Sequence, residues 1–248
     1  MIPILKAEFR KLLTVRSTYV ILAIALLMVM FFGGFVEGVR GDTQNLLHNT
    51  GLLVSESTNA IVFTGMVVAF AGLLLVGHEY RYNTIMYTLA SSNRRYKILL
   101  AKFVAVSAFA IVASLFLVFF SPLCAIVGAH LAGKQIGPQT FNVWSVVWHC
   151  VLCGWGYSLY AFILVAIMRS QIGAIVTFLL IPMIGENILG LLLKHNVKYL
   201  PFNALQSIAV PTSLGNHTTS MHAVGVVAVY VTVGMLVSAV LFARRDAN

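Results

Sequence analysis

Six long, mostly apolar runs divide this chain: Thr18–Val36, Thr58–Gly77, Leu100–Val127, Asn142–Met168, Ile172–Leu193 and His222–Ala243. Each has about twenty or more residues, enough for a helix to cross a hydrocarbon core of about 30 Å. A backbone in lipid must satisfy its own hydrogen bonds, so runs of this length and composition are expected to be helices. The fold class that follows is all-α: a polytopic membrane protein with six transmembrane helices.

Composition agrees, since 60% of the residues are hydrophobic and only 9% are charged, where soluble domains carry about a quarter. No linker rich in Pro, Gly, Ser or charge separates two halves, so residues 1–248 read as one transmembrane domain. The first apolar run is too long for a signal-peptide core and has no small-residue cleavage site behind it.

The formal charge of +9 could point to nucleic acid, but its distribution argues for a bilayer. Lys6, Arg10, Lys11, Arg16, Arg81, Arg94, Arg95, Lys97, Lys102, Arg169, Arg244 and Arg245 fall on one side of the six runs. Only Arg40, Lys134, Lys194 and Lys198 fall on the other. Cations are retained on the cytoplasmic side, so both termini are expected there, in a multi-pass cell-membrane protein with no nucleic-acid partner.

Three stretches outside the runs carry further information. Residues 3–16 alternate a stripe of Ile4, Leu5, Phe9, Leu12 and Leu13 with Lys6, Arg10 and Lys11, the pattern of an amphipathic helix lying in the interface. The alternative is the polar start of the first span. Residues 195–221 contain Pro201, Pro211 and an apolar stretch, too short to cross twice and too apolar for a free loop. They read as a re-entrant or surface hairpin on the outer side, or else as an ordered outer loop.

Residues 78–99 are the longest polar, cation-rich interruption. Asn83 and Thr84 are good helix N-caps, because their side-chain oxygens accept bonds from first-turn amides. Ile85, Met86 and Leu89 then share a face. Ser91, Ser92 and Asn93 break the helix before Arg94, Arg95 and Lys97 open the next one. A short capped helix with an apolar face reads as a docking peg; the plain alternative is a cationic loop.

Catalytic patterns are missing from the sequence. It contains no Gly-rich phosphate loop, no His-Glu-x-x-His and no Gly-x-Ser-x-Gly, so nucleotide hydrolysis is expected elsewhere. Cys150 and Cys153 beside His149 make half a metal site without its second pair, and an inert apolar role is expected. His48, His130, His195, His217 and His222 share no ligand spacing. Glu186 stands out as a carboxylate inside an apolar run, flanked by Pro182, Gly185 and Asn187. An intramembrane charge costs at least about 2.5 kcal/mol unless paired or hydrated. Glu186 and Asn187 are therefore expected along a substrate path or an inter-subunit seam, in a kinked helix. A buried structural carboxyl is the alternative.

Two of these stretches resemble the permease subunits of ABC-2 type ATP-binding cassette transporters. Ala7-Glu8-Phe9-Arg10-Lys11-Leu12, continuing through Thr14 to Thr18, is similar to the amphipathic entry helix of such permeases. Glu79, Arg81, Thr84, Leu89, Arg95 and Lys102 match the pattern around their first cytoplasmic loop, with Asn83 where Gly is usual. Asn tolerates the left-handed backbone that Gly supplies. The resemblance implies two permease copies, as homodimer or heterodimer, and two ATPase subunits carrying ATP and Mg. Residues 78–99 would be the coupling segment, with Glu79, Arg81, Asn83, Thr84, Ile85, Met86 and Leu89 meeting the ATPase. Export of a hydrophobic or amphipathic compound would be the task. The rival is a secondary transporter or channel using Glu186 as a proton or cation site.

Overall fold

The computed structural model describes residues 2–28, 31, 35, 39, 50–85, 87, 95–134, 143–209 and 220–244, with side chains described for most of them but not for 50–64. Helices make up the architecture, and among the described residues there is no strand. The long elements are α1 (Ile2–Thr14), α2 (Arg16–Met28), α3 (Thr50–Arg81), α4 (Arg95–Leu131), α5 (Val143–Met168) and α6 (Gln171–Leu180). After α6 come a π-helical turn (Ile181–Gly185), α7 (Glu186–Leu193), a 3-10 helix (Lys194–Tyr199), α8 (Pro201–Ala209) and α9 (Ser220–Arg244).

Among the described residues, four stretches are long and apolar enough to cross a membrane: Tyr96–Phe120, Val147–Met168, Gln171–Leu193 and Met221–Phe242. They mark the chain as membrane-embedded. The pair Pro3–Thr14 and Thr18–Met28 is bent by 59°, and counts as a fifth if it is one broken span.

Helix α5 is the hub, packing against α3, α4, α6, α8 and α9. Small residues permit this. A Cβ on Gly154 would lie 2.1 Å from Ser114 Oγ on α4, and one on Gly156 would lie 2.3 Å from Leu205 on α8. Helices that lack a hydrophobic drive to associate in lipid gain mainly from such close approach. Where α5 ends, Arg169 turns the chain with φ 52° and Ser170 Oγ caps α6 by accepting from Gly173 N at 3.2 Å. Arg169 Nη2 also donates to Leu241 O at 3.2 Å, so this turn holds the end of α9.

Near Glu186, where a kink is expected, the helix widens into the π-helical turn, with Pro182 in it. Proline lacks the N–H that an α-helical turn would use, and a widened turn accommodates that loss. Beyond it, α8 folds back against α5, α9 and α3. Its Phe202, Ala204, Leu205, Ile208 and Ala209 are buried. Phe202 sits in an aromatic cluster, with ring centroids 5.5 Å from Phe178, 5.6 Å from Tyr160 and 5.8 Å from Tyr157. Residues 210–219, the rest of the expected hairpin, lie outside the described residues.

Candidate functional site

Four charges meet where α1, α3 and α4 converge. Lys102 Nζ on α4 donates to Glu79 Oε1 on α3 at 2.5 Å, and to both carboxylate oxygens of Glu8 on α1 at 3.1 Å. Lys11 Nζ closes the square, 2.8 Å from Glu79 Oε1 and 3.1 Å from Glu8 Oε1. Lys102 and Glu8 are each 1% exposed and Glu79 is 6% exposed, while Lys11 is half-buried. Two anions and two cations balance, which is what allows such burial.

The local sequence sets up this geometry. Glu8 and Lys11 are one helical turn apart and therefore share a face of α1. Leu12, also buried, anchors the same helix in the core, with half-buried Phe9 packed beside it. Burial pushes the Glu79 carboxyl up, but the ammonium groups of Lys102 and Lys11 outweigh it and hold Glu79 below the ordinary carboxylate value. For Lys11, burial pulls down, and Glu79 and Glu8 together raise it above the ordinary lysine value. Next to the clamp, burial and then the Arg81 charge lower His78, whose ring stacks on Tyr82 at 5.8 Å.

The chain leaves this clamp through a tight turn. Asn83 takes φ 53°, the left-handed backbone that Asn tolerates better than most residues. Arg81, Asn83 and Thr84 are exposed, and the Arg81 guanidinium lies 5.5 Å from the Tyr82 ring centroid.

Ile85 corrects the sequence-based docking face. It is 6% exposed and belongs to this chain's own core, so it is not available to a partner. Periodicity gave the face but not the direction it points. Met86 and Leu89 lie outside the described residues.

On α1 the expected division of faces is also revised. Lys6 and Arg10 are exposed as expected, and the exposed Leu13 suits a stripe that faces the bilayer, but Lys11 turns into the ion-pair square. Glu8 and Lys102 were missed as a pair. The available signal was Lys102 itself, a cation placed just inside an apolar run and therefore in need of a buried partner.

Glu186 and Asn187 are adjacent in sequence but face differently. Glu186 is buried, and its carboxylate accepts from Phe202 N at 2.7 Å, Asn203 N at 2.8 Å and Asn203 Nδ2 at 2.6 Å. It thus caps the first turn of α8, where backbone amides lack helical acceptors. Asn187 is exposed, with its Nδ2 donating to Met183 O at 2.6 Å.

Among the described residues no three His, Cys, Asp or Glu side chains group as metal ligands, and the three cysteines are free thiols. The fold and its charged junction define a helical membrane protein with a buried ion-pair clamp. A family model described as a protein of unknown function, DUF2705, matches residues 18–247, and the chain belongs to that family. No curated protein matches it.

Proposed function

We propose that this chain is the membrane-spanning permease subunit of an ATP-driven transporter of ABC-2 type. In this reading six helices cross the cell membrane, both termini are cytoplasmic, and residues 195–221 form an outer re-entrant hairpin. Two copies of a separate ATPase bind ATP and Mg and seat against residues 78–99. A second permease copy completes the pore, and a hydrophobic or amphipathic compound is exported.

The observation that carries this reading is the Glu8–Lys11–Glu79–Lys102 clamp. An ATPase can move spans only through a contact stiff enough to transmit displacement. The clamp ties the interfacial helix and the start of α4 to the last turn of α3, from which the 78–99 segment leaves. A push on that segment is therefore shared by three helices rather than absorbed by a loop. An open apolar groove of about 290 Å³ along α5, α8 and α9, lined by Tyr160, Phe202, Tyr230 and Val237 among others, suits an apolar cargo. The rival proton or cation carrier is weakened by Glu186, whose oxygens already accept three hydrogen bonds.

Co-purification tests the proposal. The chain, co-expressed with a candidate ABC ATPase subunit, should retain that ATPase, and Leu89→Asp should release it by placing an unpaired charge in the contact. Full retention by Leu89→Asp, with hydrolysis and transport intact, would defeat the coupling role.

A further inference from the structure

Two tyrosines supply the only side-chain polar groups among the residues that line the groove along α5, α8 and α9: Tyr160 on α5 and Tyr230 on α9. Their rings meet edge to face, with centroids 6.5 Å apart. Tyr160 is 6% exposed, and its buried hydroxyl meets no hydrogen-bond partner among the described residues. Its ring packs edge to face on Phe202 at 5.6 Å, a contact that a phenylalanine would make equally well. Leaving a hydroxyl buried and unpaired costs stability, so the oxygen is unexplained by the fold alone.

Depth decides what can meet that hydroxyl. Within the apolar stretch Val147–Met168, Tyr160 lies thirteen residues from one end and eight from the other, or about 20 Å and about 12 Å along the axis. Both distances place it well inside a hydrocarbon core of about 30 Å. Lipid tails carry no hydrogen-bonding group, and the ester oxygens of bilayer lipids stay at the headgroup boundary, out of its reach. An occupant that satisfies Tyr160 therefore brings its own oxygen into the core. It is also neutral, because the groove has no charged lining residue to pair with an ion at that depth.

We infer that this groove binds a neutral, lipophilic molecule with a carbonyl or ether oxygen set within its apolar body, and that Tyr160 donates to that oxygen. A volume of about 290 Å³ stands at the lower edge of small-molecule pockets, so the bound part is compact. The inference deepens the transporter reading by naming the chemistry of the cargo groove, and it rests on that reading for the molecule's being carried.

Photolabelling of the purified full chain in phosphatidylcholine vesicles tests it. The probe is benzophenone, a neutral ketone whose excited carbonyl attacks nearby C–H bonds. Peptide mapping should place the label on groove residues such as Ile163, Val233 and Val237. An excess of dipentyl ketone should displace it, and undecane, of the same chain length without the oxygen, should compete far less well. Tyr160→Phe should weaken labelling about three- to tenfold, the worth of one hydrogen bond. Its melting midpoint should not fall, because no protein partner is lost. Equal labelling of the wild type and Tyr160→Phe, equal competition by undecane, or label placed outside the groove overturns the inference.

A second variant guards against a misfolded Tyr160→Phe. Val237 is 43% exposed on the groove wall, so Val237→Trp fills the groove without entering the core, and it should abolish the label. Retained labelling in that variant is again an overturning result. Phosphatidylcholine carrying a diazirine in its acyl chain reads the bilayer itself. Groove labelling by this lipid should yield to dipentyl ketone; labelling that the ketone leaves unchanged would assign the groove to a lipid tail and overturn the inference. None of these assays contains the ATPase. Oxygen-dependent labelling of a chain that holds no ATPase would sink the transporter reading alone, and ATPase-coupled transport without that dependence would sink this inference alone.

Discussion

Lys102 Nζ and Glu79 Oε1 lie 2.5 Å apart, with both residues almost wholly buried and 23 positions apart in sequence. The pair bridges the end of α3 to the start of α4, across the segment read as the coupling element. Taking two charges out of water is expensive, and the geometry here compensates through Glu8 and Lys11. Removing one member is therefore more damaging than removing a matched pair.

Lys102→Met should destabilise the detergent-solubilised protein by about 3 to 5 kcal/mol, lowering its melting midpoint by roughly 10 °C, because Glu8 and Glu79 are left sharing Lys11. Adding Glu79→Gln should recover much of that loss, since Glu8 and Lys11 then remain as a balanced pair. Thermal unfolding of the two single variants and the double variant measures the coupling. Additive losses would mean that the square does not act as a unit.

Stability should depend on pH through the same square, with two edges. Glu79 is held below its ordinary value of 4.5, so its contribution is fully present above that value and is lost as pH falls through the lower folded one. Lys11 is raised above 10.5, so its contribution is complete below that value and fades as pH climbs past it. Melting midpoints measured across pH should thus show a plateau through neutrality. Glu79→Gln should flatten the acid edge and Lys11→Met the alkaline one.

The elements were more legible than their partners. Apolar runs ending at Met168 and starting at Ile172 fix the α5–α6 break to within a residue of its observed place, because hydropathy and the polar Arg169-Ser170 pair act locally. Pro182 and Gly185 likewise announce the π turn. Long-range pairing is a different matter: Glu8 and Lys102 are 94 residues apart, and nothing in the period of either helix specifies the other. Ile85 shows the same limit, since its place on a helical face was readable but its burial depended on the core that the packed helices form. Glu186 was readable as a residue needing a reason, while its partners at Phe202 and Asn203 depended on α8 folding back.

Glu186 supplies the next expectation. Its carboxylate takes three donors from the first turn of α8, and a glutamine amide presents only one acceptor oxygen in its place. Glu186→Gln should leave at least one donor unmet and cost about 1 to 3 kcal/mol. Disulfide or protease probing of α8 should show it loosened from α5. A variant that melts like the wild type, with α8 equally protected, would detach Glu186 from the capping role.

Orientation in the membrane can be checked with single cysteines. In a background without native cysteines, Asn196→Cys should react with an impermeant thiol reagent on intact cells, and Asn93→Cys only after permeabilisation, as the cation distribution requires. The reverse pattern would invert the protein and remove the 78–99 segment from the reach of a cytoplasmic ATPase.

The clamp also predicts how coupling fails. Glu79 touches both Lys102 and Lys11, so it joins α4 and α1 to the helix that leads into the proposed coupling segment. Glu79→Ala removes that joint, at a stability cost comparable to that of Lys102→Met, but leaves the exposed residues Arg81 and Thr84 in place, so it is assayed at a temperature where the variant stays folded. Under the proposed transporter reading, the partner ATPase should therefore remain bound and continue to hydrolyse ATP, while transport per ATP falls because a push on residues 78–99 would no longer reach α4 and α1 together. Leu89→Asp should behave oppositely, losing the ATPase itself. Binding, hydrolysis and transport measured on one preparation of each variant separate the two. If Glu79→Ala transports normally while Lys102→Met remains unstable, the square serves only to hold the fold.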